Sequence, residues 1–438
     1  HAVSTDLMHW QNLPIALYPD SLGYIFSGGA VIDWKNSSGF GTPSNPPMVA
    51  FFTYHNPVIA QSNGIDVESQ AIAYSLDKGR SWTKFAGNPV IKNPGIRDFR
   101  DPNVIWHEKS QTWVLALAAT DRLFIYNSTN LRDWEKVSEF GADAGNHDGV
   151  WECPDLFPLR INGEEKWVLL QNINPGHPNG GSGTQYFIGD FDGKIFSNDN
   201  PPEVQLWLDY GKDNYAGVTW SNAPDKTGQR TFIGWMGNWQ YAQQVPTHPW
   251  RSAMTLPRLL QLVDSEVGLR LASIPVPTVT TIRKEAVAYS RGEHKENLSL
   301  LTNISEHNGL YEVQLEMEKP ESGELKLEIF NAVGDVLFIG YNVDQNEYFV
   351  DRLTAGVSDF SEDFAGKHVA PCYYQAEIVK MHMFFDVSSV ELFADDGRTV
   401  MTEIFFPSEP YTDIIVHASE EKPLRMIRGR VFELGSSW

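Results

Sequence analysis

A short turn that recurs along the chain constrains its fold more than any other feature. Ser4-Thr5-Asp6-Leu7 leads to Trp10, Ser75-Leu76-Asp77-Lys78-Gly79 leads to Trp82, and Ser128-Thr129-Asn130-Leu131 leads to Trp134. Apolar runs precede two of these turns, Ala71-Ile72-Ala73-Tyr74 and Leu123-Phe124-Ile125-Tyr126. An Asp or Asn that bonds its own backbone, followed by a Trp that plugs the core, closes a β-hairpin compactly. Asp190-Phe191-Asp192-Gly193-Lys194-Ile195-Phe196 is a looser fourth copy. The intervals are somewhat longer than the ~40 to 50 residues of known four-stranded blades, which points to a β-propeller with long loops. Chance recurrence of Ser-x-Asp turns in another all-β fold is the competing reading. Composition fits an all-β chain, with 26 Pro, 35 Gly and 12% aromatic residues arranged in short alternating runs.

If each repeat closes a blade, the strand that opens the next blade lines the central axis. Those strands include Phe26-Ser27-Gly28, Phe99-Arg100-Asp101-Pro102 and Trp151-Glu152-Cys153-Pro154, and a fifth unit runs from Tyr215 through Trp235 to about Leu262. The first blade has only its final turn. Residues 1–275 therefore read as the propeller. The charged stretch after Pro275 and Pro277 reads as a connection over 276–299. Beyond it, Tyr311, Val313, Leu315 and Met317 alternate with polar residues, as do Leu325, Leu327 and Ile329. Half-buried strands of this kind, with the hairpin signal Asp395-Asp396-Gly397, predict a β-sandwich over 300–438.

A chain of 438 residues is long enough for two domains, and its formal charge of -22 would repel a phosphate backbone or an anionic membrane. Neither nucleic acid nor membrane is expected as a partner. No apolar stretch approaches the ~20 residues of a bilayer-spanning helix. Low cysteine and strong acidity suit a secreted enzyme whose export signal has been removed, without excluding a cytosolic one. Sequons at Asn36, Asn127, Asn297 and Asn303 add little in a chain this rich in Asn, Ser and Thr. Cys153 and Cys372 read as two packed thiols.

Two acids stand out by their neighbours. Arg100 and Pro102 flank Asp101, so a fixed backbone and an adjacent guanidinium suit a permanently ionised carboxylate. Trp151 and Cys153-Pro154 frame Glu152 with apolar groups, an environment expected to favour the protonated carboxyl of a general acid. Two carboxyls of contrasting character at one funnel are what glycosidic bond cleavage requires, because a proton must reach the leaving oxygen while positive charge develops on the sugar. Taken singly, each acid also reads as a turn or structural residue. His147 and Asp148 lack a third metal ligand at a useful spacing, and Asn179-Gly180-Gly181-Ser182-Gly183 lacks the Lys-Ser/Thr ending of a phosphate loop. No metal and no cofactor is assigned. Trp235, Trp239 and Trp250 could stack on sugar rings or fill blade cores.

Together with the late strand Ser389-Val390-Glu391-Leu392-Phe393, these motifs resemble glycoside hydrolase family 32, the β-fructofuranosidases, over nearly the whole chain. Gly183-Thr184-Gln185-Tyr186-Phe187, Gly234-Trp235-Met236-Gly237-Asn238-Trp239 and Pro249-Trp250-Arg251-Ser252-Ala253-Met254 look most like its exo-inulinases and exo-levanases. The resemblance implies an all-β chain, a five-bladed propeller followed by a sandwich, that releases terminal fructose from sucrose, inulin or levan with retention of configuration. It implies Asp101 as transition-state stabiliser and Glu152 as acid/base. Arg100 and Ser27 match fructose-binding positions, Phe26 sits beside Ser27 on the same strand, and Tyr215 and Trp235 match the pocket lining.

One departure concerns the nucleophile, which in the family is an Asp in a Trp-x-Asn-Asp-Pro-Asn-Gly motif near the start of the first blade. No such string occurs among these residues, and Asn198-Asp199-Asn200-Pro201 has the wrong order and place. The expectation is a chain that begins within the first blade of a longer protein and is nearly inactive as written, since double displacement needs that carboxylate. A propeller that binds fructans without cutting them, and a fructosyltransferase in which a sugar replaces water, are the alternative functions. Binding without turnover would mark the first, and products longer than the donor the second.

Overall fold

The computed structural model describes residues 1–223, 229–302, 304, 308–374, 376–418 and 421–437. Asn303 lies outside the described residues.

The recurrent turns share one hydrogen-bond scheme. The hydroxyls of Ser4, Ser75 and Ser128 each bond the Asp or Asn two residues on and accept an N–H from Leu7, Gly79 and Leu131 respectively. The tryptophan indole N–H then closes each turn, Trp10 onto the Leu7 carbonyl at 3.1 Å, Trp82 onto Gly79 at 2.9 Å and Trp134 onto Leu131 at 3.1 Å. The fourth copy differs: Asp192 accepts from the N–H of Lys194 and Ile195, without the serine or the tryptophan.

Four antiparallel meanders follow one another in the first part of the chain. Their opening strands are Tyr24–Ile32, Phe99–His107, Val150–Ile161 and Tyr215–Thr219, and each sheet proceeds outward in chain order. Neighbouring opening strands lie side by side around a common axis. The Ile32 N–H donates to Asn222 Oδ1 at 3.0 Å, joining the first of these sheets to the last. A fifth unit, the hairpin of Ala2–Ser4 and Trp10–Asn12, sets Trp10 against Trp220 with ring centroids 6.4 Å apart. This is the propeller expected from the repeats. Apolar side chains fill the spaces between blades, as where Trp134 meets the edge of Phe51.

The second part is a sandwich. One sheet holds Arg283–Tyr289, Leu424–Leu434, Tyr311–Glu318, Ile378–Asp386, Ser389–Ala394 and Thr399–Ile404, with Gly292–His294 paired at its side. The other holds Leu298–Ser299, Asp413–Val416, Glu324–Phe330, Val336–Asn342, Glu347–Thr354 and Lys367–Pro371. The stretch 276–299 is therefore strand for much of its length: its Arg283–Tyr289, Gly292–His294 and Leu298–Ser299 segments pair within the sandwich. The rest of the stretch is the short 3-10 helix Pro277–Ile282 and loops. Its charges alternate with residues that pack inward, and a run of charge alone does not distinguish an edge strand from a linker.

Polar networks as well as apolar side chains weld the two parts. Arg258 of the last blade, wholly buried, reaches Asp209 at 2.8 Å, Glu391 at 2.5 Å and Thr402 at 2.6 Å. Arg352 of the sandwich reaches Asp213 at 2.6 Å, Glu403 at 2.9 Å and the Tyr241 hydroxyl at 2.9 Å. Alongside them Phe384, Phe393 and Val400 pack with Val276, Val279 and Met8.

Candidate active site

All four opening strands carry the same defect. Register slips by one residue between Phe26 and Gly28, between Arg100 and Asn103, between Glu152 and Asp155, and between Tyr215 and Val218. A β-bulge of this kind unpairs one residue, bends the strand and re-aims its side chains. Three of the bulges hold a non-glycine residue in the left-handed region, Asp101 at φ 65°, Cys153 at φ 43° and Ala216 at φ 53°. Such conformations cost on the order of 1 kcal/mol each and cluster where function requires them. Pro102 and Pro154 take the next place, where a missing N–H breaks no ladder bond. At the remaining bulge a Cβ on Gly28 would lie 1.9 Å from the Phe51 carbonyl oxygen, which excludes any larger residue.

The bulges deliver the expected residues to one place. Asp101 Oδ2 accepts the Cys153 N–H at 3.0 Å and its thiol at 3.5 Å, while the Asp101 N–H donates to Thr53 Oγ1 at 2.9 Å. Arg100 donates from Nε and Nη2 to Glu152 Oε1 at 3.1 and 3.0 Å. The Tyr215 hydroxyl donates to Glu152 Oε2. Ser27 lies beside the Cys153 thiol, Phe26 stacks on His55 at 4.3 Å, and Trp235 faces Tyr215 at 6.3 Å and Trp239 at 5.1 Å. Trp250 stands apart, half-exposed beside a cleft of about 460 Å³ between propeller and sandwich that also takes in Met236, Val387 and Phe406. His147 packs on Trp151, and the Asn179 amide bonds the Tyr210 and Val369 carbonyls across the domain junction.

The environments of the two acids differ from those the flanking residues suggest. Arg100 turns its fork to Glu152 rather than to Asp101, and Trp151 points away into a fully buried core against Phe187. Successive side chains on a strand face opposite ways, so sequence neighbours are not spatial neighbours. Asp101 is the buried acid, at 5% exposure. Burial pushes its carboxyl up to about 6, against the pull of Arg100 and the Cys153 N–H and with help from Glu152. Asp101 is thus ionised only above that pH, and its ionisation opposes folding. Removing the charge with Asp101→Asn is expected to raise unfolding free energy by about 2–3 kcal/mol at pH 8. The group's folded value exceeds its ordinary 3.8, so the penalty in the wild type grows as pH rises from about 4 to 6, and the gain in the variant vanishes below that window. Denaturant melts at pH 4 and pH 8 measure it; an equal difference at both would show that the charge is not the cause.

Sequence reasoning missed the residues behind these. Glu68, Thr53 and Gln70 are buried on neighbouring strands of the first four-stranded sheet, and the Gln70 amide donates to the Phe99 carbonyl at 2.7 Å. Asn172 donates to the Cys153 carbonyl at 2.9 Å, and Gln171 to the Glu152 carbonyl at 2.9 Å. Their only sequence signal is a polar residue in an otherwise apolar strand, as in Leu169-Leu170-Gln171-Asn172-Ile173.

With the bulged strands converging on two carboxyls, the family models decide the relationship. The N-terminal domain model of glycosyl hydrolases family 32 matches residues 1–274, and the C-terminal model of the same family matches residues 278–428. The chain belongs to glycosyl hydrolases family 32. Among its relatives, a levanase from Bacillus subtilis is 45% identical over 96% of this family 32 chain, and an extracellular exo-inulinase from Aspergillus awamori is 37% identical over all of it. The chain spans 61% of the length of that levanase and 87% of that of the exo-inulinase. The crystal structure of the Aspergillus awamori exo-inulinase superposes with a TM-score of 0.90 at 35% identity, covering 100% of this chain and 90% of that one. A fructofuranosidase from Schwanniomyces occidentalis, solved in complex with fructose, gives a TM-score of 0.87 at 31% identity, covering 99% and 88%.

Proposed function

We propose that this family 32 chain acts as an exo-β-fructofuranosidase, removing terminal fructose from levan, inulin and sucrose with retention of configuration. The observation that carries the reading is the pairing of Asp101 and Glu152 at adjacent inner-strand bulges, tied through the Cys153 N–H. The names of the levanase and exo-inulinase relatives supply the substrate class.

In this reading Glu152 protonates the glycosidic oxygen as the bond from the fructose anomeric carbon breaks. Asp101, ionised above pH 6, lies against the ring as positive charge grows there. The fructosyl ester forms on the carboxylate of the family's Asn-Asp-Pro motif, which is not among these residues. Water then attacks that ester and returns a proton to Glu152, so each turnover restores the starting state. Arg100 and Ser27 contact the fructose hydroxyls. Phe26, Tyr215 and Trp235 wall the pocket and exclude water. Secretion suits the reading, since the Aspergillus relatives are named as extracellular.

Proton NMR of the full-length protein acting on levan, inulin and sucrose tests it. Fructose is expected as the first small product, appearing initially as the β-anomer while polymers shorten one unit at a time. Release of internal oligosaccharides, α-anomer first, or no fructose from any of the three would overturn the reading; products longer than the donor would make the protein a transferase.

A further inference from the structure

The guanidinium of Arg100 is shared between two sets of anions. One edge holds Glu152. The other terminal nitrogen, Nη1, donates to Asp98 Oδ1 at 2.7 Å and to both oxygens of Glu68 at 3.2 and 3.3 Å. Glu68 opens the strand Glu68–Ser75, and its side chain is only 3% exposed. It also accepts the Phe99 N–H at 2.8 Å and His55 Nδ1–H at 3.1 Å, and the His55 ring stacks on Phe26 at the mouth. Every oxygen of this buried carboxylate is directed at the group that grips Glu152.

That arrangement has a chemical consequence. A proton donor must keep its proton until the substrate is bound, yet a guanidinium against the same oxygen favours the anion. The opposing charges set the balance. Arg100, Asp101, Cys153 and Tyr215 face Glu152, whereas Asp98, Glu68 and, through Glu68, His55 face Arg100. Glu68 is the most buried of the anions on the far edge of Arg100, where screening by water is weakest.

We propose that Glu68 is a positioning residue for proton donation: it fixes the orientation of Arg100 and offsets its charge, so that Glu152 remains a usable acid. The inference rests on the function proposed above, and it adds a third carboxylate, on a different strand, to the working site. Glu68→Gln keeps an oxygen for the Phe99 N–H and for Arg100 but removes the charge.

The test compares pH profiles of the full-length protein. In Glu68→Gln the alkaline limb of kcat/KM on inulin is expected to move down by about one pH unit, because the field of Arg100 on Glu152 is no longer offset. At pH 7 kcat on inulin is expected to fall about tenfold with KM nearly unchanged, and an aryl β-fructofuranoside, whose leaving group needs little protonation, to lose much less. Glu68→Asp, which restores the charge, is expected to return the limb toward the wild-type position. An unmoved limb in a folded Glu68→Gln, or equal losses on both substrates, overturns the proposal. Should that variant not fold, Asp98→Asn at the more exposed edge is expected to give a smaller shift in the same direction, and an unmoved limb there overturns it equally. Turnover that survives Glu152→Gln would instead sink the assignment of the acid.

Discussion

Replacing Glu152 with Gln is expected to lower kcat on levan and inulin by about a thousandfold while KM changes little. The amide fills the same space, and its oxygen still accepts the two N–H groups that Arg100 aims at Oε1. What it lacks is a proton to give. The loss should therefore depend on the leaving group. An aryl β-fructofuranoside is expected to form the fructosyl ester nearly as fast as in the wild type and then to stall, because the water that hydrolyses the ester has no base. Stopped-flow release of the phenol would show a burst followed by a slow steady state. A uniform loss on both substrates, with no burst, would mean that Glu152 serves binding or structure and that the proton comes from elsewhere.

The second large effect lies outside the site. Arg258→Met is expected to cost about 3–5 kcal/mol of unfolding free energy, the magnitude for breaking a buried ion pair from one side. Arg258 has no exposure, and its removal strands Asp209 and Glu391, both buried and both facing it. Burial already raises the Glu391 carboxyl while Arg258 draws it back down, so without the arginine this group should take up a proton. The variant is accordingly expected to recover part of its lost stability as pH falls toward 5, opposite to what general acid denaturation does. Calorimetry at pH 5 and pH 8 would check it. A loss below ~1 kcal/mol would mean that water or a neighbouring residue replaces the guanidinium.

The first of these predictions depends on one architectural rule. Each of the four opening strands has a bulge at the level of the candidate site, and each bulge carries a candidate residue beside one fixed in place: Ser27 before Gly28, Asp101 before Pro102, Glu152 before Cys153-Pro154, and Tyr215 before Ala216-Gly217. These dipeptides read as turn signals in a linear chain. In the sheet they mark where a strand can lose one ladder bond and point its side chain down the axis. The same geometry gives Cys153 more than a packing role, because its N–H and thiol hold Asp101.

The repeat of Ser-x-Asp turns with trailing tryptophans pointed to a propeller from the chain alone, because each copy is a local structure closed by bonds spanning at most four residues. The alternation beyond residue 300 likewise specified a sandwich, since a period of two is the signature of a strand with one wet face. Motif order also brought forward Asp101 and Glu152, which the fold sets at adjacent bulges. What the chain order could not convey was which acid meets which charge. Arg100 is adjacent to Asp101 in sequence, yet it bonds Glu152 on the next blade and Glu68 on an outer strand, while burial falls on Asp101. Electrostatic environment is set by distances across the axis, where residues far apart in the chain come within 3 Å, and by the exclusion of water that only the assembled blades provide.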